Sequence, residues 1–92
     1  MEYFVISYDV RDDARRNRVH KLLRDYAVPI QYSVFECRLS KEDLVQLRYK
    51  LEKIIRPTED SIIFYRLCPR CTKYVKRVGA SPDPFGCGIY II

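Results

Sequence analysis

Hydrophobic residues follow two different periods along this chain, and these periods predict strands and helices in alternation. Five segments are dominated by aromatic and β-branched residues, as strands are. The first of them is apolar at successive positions, which is typical of a strand that is buried on both faces. Pro29 excludes further helix before the second strand, and a loop over residues 79–86 precedes the last. The predicted strands are residues 3–8, 30–39, 61–68, 73–78 (the weakest) and 88–92.

Two segments between these strands show the 3.6-residue period of amphipathic helices. Either Asp12 or Asp13 can cap the first helix, and a capping-box pattern beginning at Ser40 introduces the second. Pro57 ends the second helix. The apolar stripes consist of Val19, Leu22, Leu23 and Tyr26 in the first helix and of Leu44, Leu47, Leu51, Ile54 and Ile55 in the second.

The order of these elements predicts the fold class. A β-α-β(β)-α-β-β succession with two amphipathic helices predicts an α+β protein with a ferredoxin-like βαββαβ sheet. Both helices cover one face of this sheet, and an extra strand follows at the C-terminus. A length of 92 residues predicts a single domain over residues 1–92. Residues 30–39 must then form the second and third strands of this fold, and the position of the turn between them stays open because no Gly or Asn marks it.

The face of the sheet that lacks helices predicts a homodimer. Alternation along the first strand places Tyr3, Val5, Ser7 and Asp9 on the face opposite the helices, and much of that set is apolar. The apolar C-terminal strand is also an edge that invites another chain. We expect residues 78–92 to cross to the partner subunit. A self-contained monomer with this strand on its own edge is the alternative.

Charge indicates a polyanionic partner. The chain has 17 Lys and Arg against 12 Asp and Glu, a net charge of +5, and the basic excess lies in two segments. Nucleic acid is the expected partner, whereas a solvated surface is the alternative reading. No apolar run is long enough to span a membrane, and no basic leader precedes an apolar stretch, so we expect a cytoplasmic protein. The candidate nucleic-acid ligands are Arg11, Arg15, Arg16, Arg18, Arg66, Arg70, Lys73, Lys76 and Arg77.

Asp9 is the strongest candidate for chemistry. It follows a buried strand and directly precedes a helix, at a position where related architectures bind ligands. Its carboxylate suits Mg²⁺, and two copies could face each other across a dimer axis; simple termination of the strand is the alternative. Arg15 and Arg16 follow within two turns, where they could bind phosphate or pair with acids or water. We expect His20 to be exposed to solvent.

The four cysteines leave several interpretations open. Cys68 and Cys71 have the spacing of a zinc knuckle or a redox pair, whereas Cys37 and Cys87 stand alone. Zinc would require all four to converge, so we expect none to be bound. The simplest interpretation is a turn whose thiols are free or joined in a local bridge.

Several blocks of sequence together resemble the CRISPR-associated Cas-two family, over essentially the whole chain. The blocks are Tyr8-Asp9-Val10, Asp12-Asp13-Ala14-Arg15-Arg16, Gln31-Tyr32-Ser33-Val34-Phe35-Glu36-Cys37 and Asp60-Ser61 with Tyr65-Arg66-Leu67-Cys68. The resemblance implies a ferredoxin-like homodimer with a C-terminal strand that crosses between subunits. It also implies a metal-dependent phosphodiesterase, an endoribonuclease or endonuclease that acts on single-stranded RNA or double-stranded DNA.

The resemblance also implies roles for particular residues. It makes Asp9 the metal ligand, for Mg²⁺ or another divalent cation, and it places the catalytic residues Tyr8, Arg15, Arg16, Ser33 and Phe35 around it. A second implied role is architectural, in which the dimer bridges integrase subunits of the Cas-one family during spacer acquisition. Two hypotheses therefore stand side by side: a Mg²⁺-dependent nuclease, and a non-catalytic scaffold that binds DNA.

Overall fold

Four antiparallel strands form the central sheet of the molecule. A computed structural model describes residues 1–86 and the backbone of residues 89–91. The strands are β1 (Glu2–Asp9), β2 (Val28–Gln31), β3 (Val34–Leu39) and β4 (Ser61–Leu67). They lie in the order β2-β3-β1-β4, with β1 antiparallel to both β3 and β4. The predicted α+β, ferredoxin-like architecture is confirmed.

Two helices connect the strands and cover one face of the sheet. They are α1 (Asp13–Arg24) and α2 (Lys41–Ile54). Of the two aspartates that could cap α1, Asp12 does so, since its carboxylate accepts a hydrogen bond from a backbone N–H in the first turn at 3.0 Å. The Ser40 hydroxyl oxygen caps α2 in the same way at 3.1 Å. Both caps satisfy N–H groups that a helix leaves without a partner inside itself.

The core lies between the sheet and the two helices. Phe4, Ile6 and Tyr8 point from β1 toward the helices, as alternation along the strand predicts. Helix α1 contributes the fully buried aliphatic side chains of Val19 and Leu23, and α2 contributes that of Leu47. The buried cluster comprises Phe4, Ile6, Tyr8, Val10, Val19, Leu23, Phe35, Cys37, Leu39, Leu47 and Leu51.

The turn between β2 and β3 falls at Tyr32 and Ser33. It contains no Gly or Asn, and the register of the two strands shifts between Pro29 and Gln31. Proline is tolerated in β2 because this strand lies at the edge of the sheet and pairs with β3 alone. The N–H that proline lacks is therefore not required for hydrogen bonds to a second neighbouring strand. Residue type therefore provided no signal for the position of this turn.

The segment after β4 differs from its prediction. The weak strand expected over residues 73–78 is instead a 3₁₀ turn (Cys71–Tyr74) followed by a three-residue strand, β5 (Lys76–Val78). A second short strand, β6 (Ile89–Ile91), pairs in parallel with β5 of the same chain. Gly88 and Ile92, which were also predicted to be strand, lie outside the described residues. The crossing of residues 78–92 to a partner subunit stays a prediction.

The sheet face opposite the helices is apolar and partly open. Tyr3, Val5 and Ser7 of β1 are half-buried, while Ile63 and Tyr65 of β4 are 46% and 51% exposed. The alternation predicted for this face is therefore present. Neither α1 nor α2 is long and apolar enough to cross a membrane, and the same is true throughout the described residues.

Candidate functional site

Asp9 is the last residue of β1, and its side chain is exposed at one end of the sheet. The turn between β2 and β3 reaches the same end, since the backbone N–H of Tyr8 donates to the carbonyl oxygen of Ser33 at 3.1 Å. An open depression of about 260 Å³ lies between them. The structure thus brings Tyr8, Arg16 and Ser33 together around Asp9. The residues that line the depression are Tyr8, Asp9, Val10, Arg11, Arg16, Tyr32 and Ser33.

Asp9 fits a divalent cation as one ligand among several. No group of three His, Cys, Asp or Glu side chains that could hold a metal ion occurs in the described part of the chain. Mg²⁺ usually takes one or two protein carboxylates and completes its coordination with water and substrate phosphates. An exposed carboxylate at the edge of an open depression suits that manner of binding. It does not suit a cation enclosed by the ligands of one subunit.

Arg16 is fixed beside Asp9 by the main chain that follows β1. Its Nε donates to the carbonyl oxygen of Val10 at 3.1 Å, and its Nη1 lies 2.7 Å from a carboxylate oxygen of Asp13. Its Nη2 donates to the carbonyl oxygen of Arg11 at 3.4 Å. The side chain keeps 35% of its surface exposed, so an oriented positive charge remains at the edge of the depression.

Tyr8 lines the depression, and both Tyr8 and Phe35 contact His20. The Tyr8 hydroxyl lies 2.9 Å from His20 Nδ1 and donates to the carbonyl oxygen of Tyr32 at 3.3 Å. The rings of His20 and Phe35 are 5.1 Å apart. Burial raises the pKa of Tyr8, so its hydroxyl stays protonated near neutral pH. The expectation that His20 is exposed to solvent is wrong, because it is half-buried and packs against these two aromatic rings.

Arg15 does not join the group around Asp9. Its Nε donates to Asp60 Oδ2 at 2.8 Å and its Nη2 donates to Asp60 Oδ1 at 3.1 Å. Its side chain is only 14% exposed, and the side chain of Asp60 is fully buried. The expectation that Arg15 meets phosphate is therefore corrected, because its guanidinium is paired with a buried carboxylate.

Asp60 is the residue whose role sequence reasoning missed. Besides Arg15, it accepts hydrogen bonds from the backbone N–H groups of Arg11 at 3.0 Å and Arg56 at 2.9 Å. The hydrogen bond from the Arg15 guanidinium, helped by these N–H groups, holds the pKa of Asp60 well below its usual range. This carboxylate therefore joins the loop after β1 to α1 and to the loop before β4. Its position directly before a strong strand was the only local signal.

The other predicted nucleic-acid ligands divide into exposed and buried residues. Most are exposed, but the Arg66 guanidinium lies 3.1 Å from a carboxylate oxygen of Glu2. Arg77 is buried, since its Nη2 donates to Glu36 at 2.6 Å and its guanidinium lies over the ring of Phe85. Its inclusion among the nucleic-acid ligands is corrected, because the side chain is only 4% exposed. The exposed residues of the set are Arg11, Arg18, Arg66, Arg70, Lys73 and Lys76.

The cysteines do not share one environment. Cys37 is buried in the core, where desolvation raises its pKa to about 12. Cys68 and Cys71 are exposed on the loop after β4. Cys87 lies outside the described residues.

Comparison with known proteins places the chain in a family. The family model described as CRISPR associated protein Cas2 matches residues 1–75. The chain belongs to the Cas2 family. A relative from Synechocystis sp., named CRISPR-associated endoribonuclease Cas2 3, is 43% identical over 82 residues, which are 89% of each chain.

Solved structures of Cas2 proteins share the fold. The crystal structure of Streptococcus pyogenes Cas2 at pH 6.5 is 33% identical in sequence, with a TM-score of 0.73 over 84% of this chain and 99% of that one. A chain of a structure titled partial Cas6-RT-Cas1–Cas2 complex is 34% identical, with a TM-score of 0.71 over 82% of each chain. The sheet, the two helices and the order of strands are thus those of known Cas2 folds.

Proposed function

We propose that this Cas2 protein is a metal-dependent phosphodiesterase and a dimeric subunit of a spacer-integration complex. The observation that carries the nuclease proposal is the exposed Asp9 carboxylate beside the oriented guanidinium of Arg16. Support for the activity also comes from relatives named as endoribonucleases, which are 43% identical to this chain. The substrate class is RNA or DNA, because their phosphates can bind both to a cation held by Asp9 and to the guanidinium of Arg16.

Each side chain around the depression has a task in the proposed phosphodiester hydrolysis. Asp9 would bind the divalent cation, most simply Mg²⁺, which when bound polarises a phosphate and lowers the pKa of its water. Arg16 would stabilise negative charge on the scissile phosphate. The Ser33 hydroxyl lines the same depression and would position a phosphate oxygen. Tyr8 and Phe35, which are both buried, would support the site through the packing of their rings against each other and against His20.

A homodimer would supply what one chain lacks. The sheet face opposite the helices exposes large apolar side chains, among them Ile63 and Tyr65. Such a surface favours contact with another subunit. Two subunits that pack through this face or exchange residues 78–92 would bring two Asp9 carboxylates toward a common axis, which would give a cation its second carboxylate. The Cas1–Cas2 complex among the similar structures supports an integrase of the Cas1 family as a further partner.

Replacement of the carboxylate tests the catalytic proposal. Asp9→Asn keeps the size of the side chain but removes its charge, so cleavage of single-stranded RNA and of duplex DNA in Mg²⁺ should fall by at least about a hundredfold. Asp25→Asn, which removes an exposed carboxylate just after α1, is the matched control and should retain the wild-type rate. Equal rates in wild type and Asp9→Asn would contradict the proposal and indicate a contaminating nuclease.

The alternative function is a scaffold without catalysis. The observation that favours it is that one subunit offers a single carboxylate at the depression, together with many exposed cations elsewhere. Under this alternative the wild-type protein cleaves no faster than Asp9→Asn, while both bind duplex DNA and the integrase equally. The same pair of variants therefore separates the two functions.

A further inference from the structure

Two exposed thiols face each other on the loop that follows β4. The Sγ atoms of Cys68 and Cys71 are 3.0 Å apart. A tight turn holds them there, because the backbone N–H of Cys71 donates to the carbonyl oxygen of Cys68 at 2.9 Å. The Thr72 hydroxyl donates to the carbonyl oxygen of Pro69 at 2.7 Å and closes the same turn. A disulfide has an S–S distance of about 2.05 Å, so a shift of about 1 Å would bring the two sulfur atoms to bonding distance.

The two thiols are not equivalent. Cys68 Sγ accepts a hydrogen bond from the backbone N–H of Cys71 at 3.3 Å, and it lies within hydrogen-bond distance of the Cys71 thiol. Once Cys68 has lost its proton, the thiol and the backbone N–H of Cys71 can both donate to its thiolate, so the pKa of Cys68 is lowered whereas that of Cys71 is raised. The thiolate is the nucleophile in thiol chemistry. Cys37, by contrast, is buried in the core and provides an internal unreactive thiol.

The surroundings of Cys68 are cationic. An open depression of about 520 Å³ beside it is lined by Cys68, Pro69, Arg70 and Lys73. Arg70 and Lys73 are exposed, and no acidic residue occurs in residues 66–77. This charge distribution favours an anionic reactant over a cationic one.

The pair is also remote from the Asp9 site. Asp9 stands opposite Ser61 at one end of β4, whereas Cys68 follows Leu67 at the other end, where the strand faces Tyr3. Chemistry at the cysteines would therefore proceed independently of phosphodiester cleavage.

We propose that Cys68 and Cys71 form a thiol–disulfide exchange site for an anionic low-molecular-weight disulfide of the glutathione type. The Cys68 thiolate attacks one sulfur of that disulfide, whose S–S bond breaks and releases one thiolate, which takes a proton from water. Cys71 then loses its proton to solvent, and its sulfur attacks Cys68 Sγ. The mixed disulfide bond at Cys68 breaks as the Cys68–Cys71 disulfide forms, and the second small molecule leaves as a thiolate that takes a proton from water. The two protein thiols are oxidised, and one small disulfide is reduced to two thiols.

The first test follows the products with oxidised glutathione as the probe. In a Cys87→Ser chain, intact-mass spectrometry should show loss of two hydrogens and no lasting adduct, with peptide mapping joining Cys68 to Cys71. Cys71→Ser should retain one glutathione on Cys68, because the resolving thiol is gone. Cys68→Ser should react at least about tenfold more slowly, and Cys37→Ser, the control, should behave as its parent.

The second test concerns the charge of the reactant. At low salt, oxidised glutathione should react several-fold faster than cationic cystamine, and this preference should disappear in Arg70→Gln/Lys73→Gln. Equal reactivity of Cys68→Ser and Cys71→Ser would overturn the assignment of the nucleophile. A parent chain that forms no internal disulfide with either probe, or that holds zinc at the pair, would overturn the exchange site itself.

Discussion

Asp60 and Arg15 decide which of the basic residues near Asp9 is available to a substrate. The two side chains are 45 positions apart in sequence, yet they form a two-pronged ion pair in the structure. Such a pair competes with phosphate for the guanidinium, and burial makes it costly to open because one charge would be left unpaired. Arg16, whose partners leave it partly exposed, is therefore the arginine that we expect to meet substrate.

The ion pair predicts a specific dependence of stability on pH. The pKa of Asp60 is lower in the folded protein than its ordinary value of about 3.9 in the unfolded chain. Its stabilising contribution is therefore present above that value and is lost progressively as the pH falls below it, toward the lowered pKa of the folded protein. Asp60→Asn should lower the melting temperature at pH 7 by about 10 °C or more, since Arg15 loses its counter-charge.

Thermal melts of wild type and Asp60→Asn between about pH 2 and pH 7 measure both effects. The difference between the two melting temperatures should shrink as the pH falls, because protonation of Asp60 removes the same charge as the substitution. Asp25→Asn again serves as control, with an exposed carboxylate. Curves that stay parallel across the whole range would contradict the role given to Asp60.

At the scale of elements, helix caps provide a quantitative check of local structure. The Ser40 hydroxyl accepts a hydrogen bond from the backbone N–H of Asp43 at the start of α2. Ser40→Ala should lower the free energy of unfolding by about 1 kcal/mol, because one N–H group at the helix end loses its partner. Ser40→Asp keeps an acceptor and should restore most of the stability. Urea unfolding measures the difference, and an unchanged midpoint in Ser40→Ala would argue against the cap.

The sequence predicted elements well where local periodicity determines them. The apolar stripes identified both helices, and the aromatic run identified β1 and the face it buries. The 3₁₀ turn at Cys71–Tyr74 was missed, because Tyr74 and Val75 favour a strand locally while hydrogen bonds closing a turn decide the backbone. The position of the turn at Tyr32 and Ser33 stayed open in the sequence, because neither Gly nor Asn marks it.

The candidate site was predictable to the extent that it depends on neighbours along the strand. Asp9 at the end of β1 follows from the strand pattern, and the resemblance to a family supplied Ser33 and Phe35. The burial of Arg77 against Glu36 and the contact of His20 with Tyr8 could not be read from the sequence, because each joins residues more than ten positions apart. A charged or polar residue is expected to be exposed when only its neighbours in sequence are considered. Contacts with residues distant in sequence can bury its side chain instead.

At the scale of the whole molecule, exposed cations decide how the protein would bind nucleic acid. Arg11 lines the Asp9 depression and Arg18 is exposed on α1, whereas Arg70 and Lys73 follow the other end of β4. A dimer would present each group twice. Binding to the phosphates of duplex DNA releases counterions, so affinity falls with salt in proportion to the number of phosphates bound.

The salt dependence of binding therefore locates the path of duplex DNA. If the path follows α1, Arg11→Ala and Arg18→Ala should each flatten the plot of log affinity against log salt by about 0.9 for every phosphate that the variant no longer binds. Arg77→Lys, which keeps a charge on a buried side chain, should leave the slope unchanged, even where stability falls. Filter binding between about 50 and 300 mM salt measures these slopes.

If Arg70→Gln/Lys73→Gln flattens the slope while Arg11→Ala and Arg18→Ala do not, the DNA crosses the opposite end of β4. In that case the depression at Asp9 does not lie on the path of the duplex, and it would have to receive a single-stranded substrate independently.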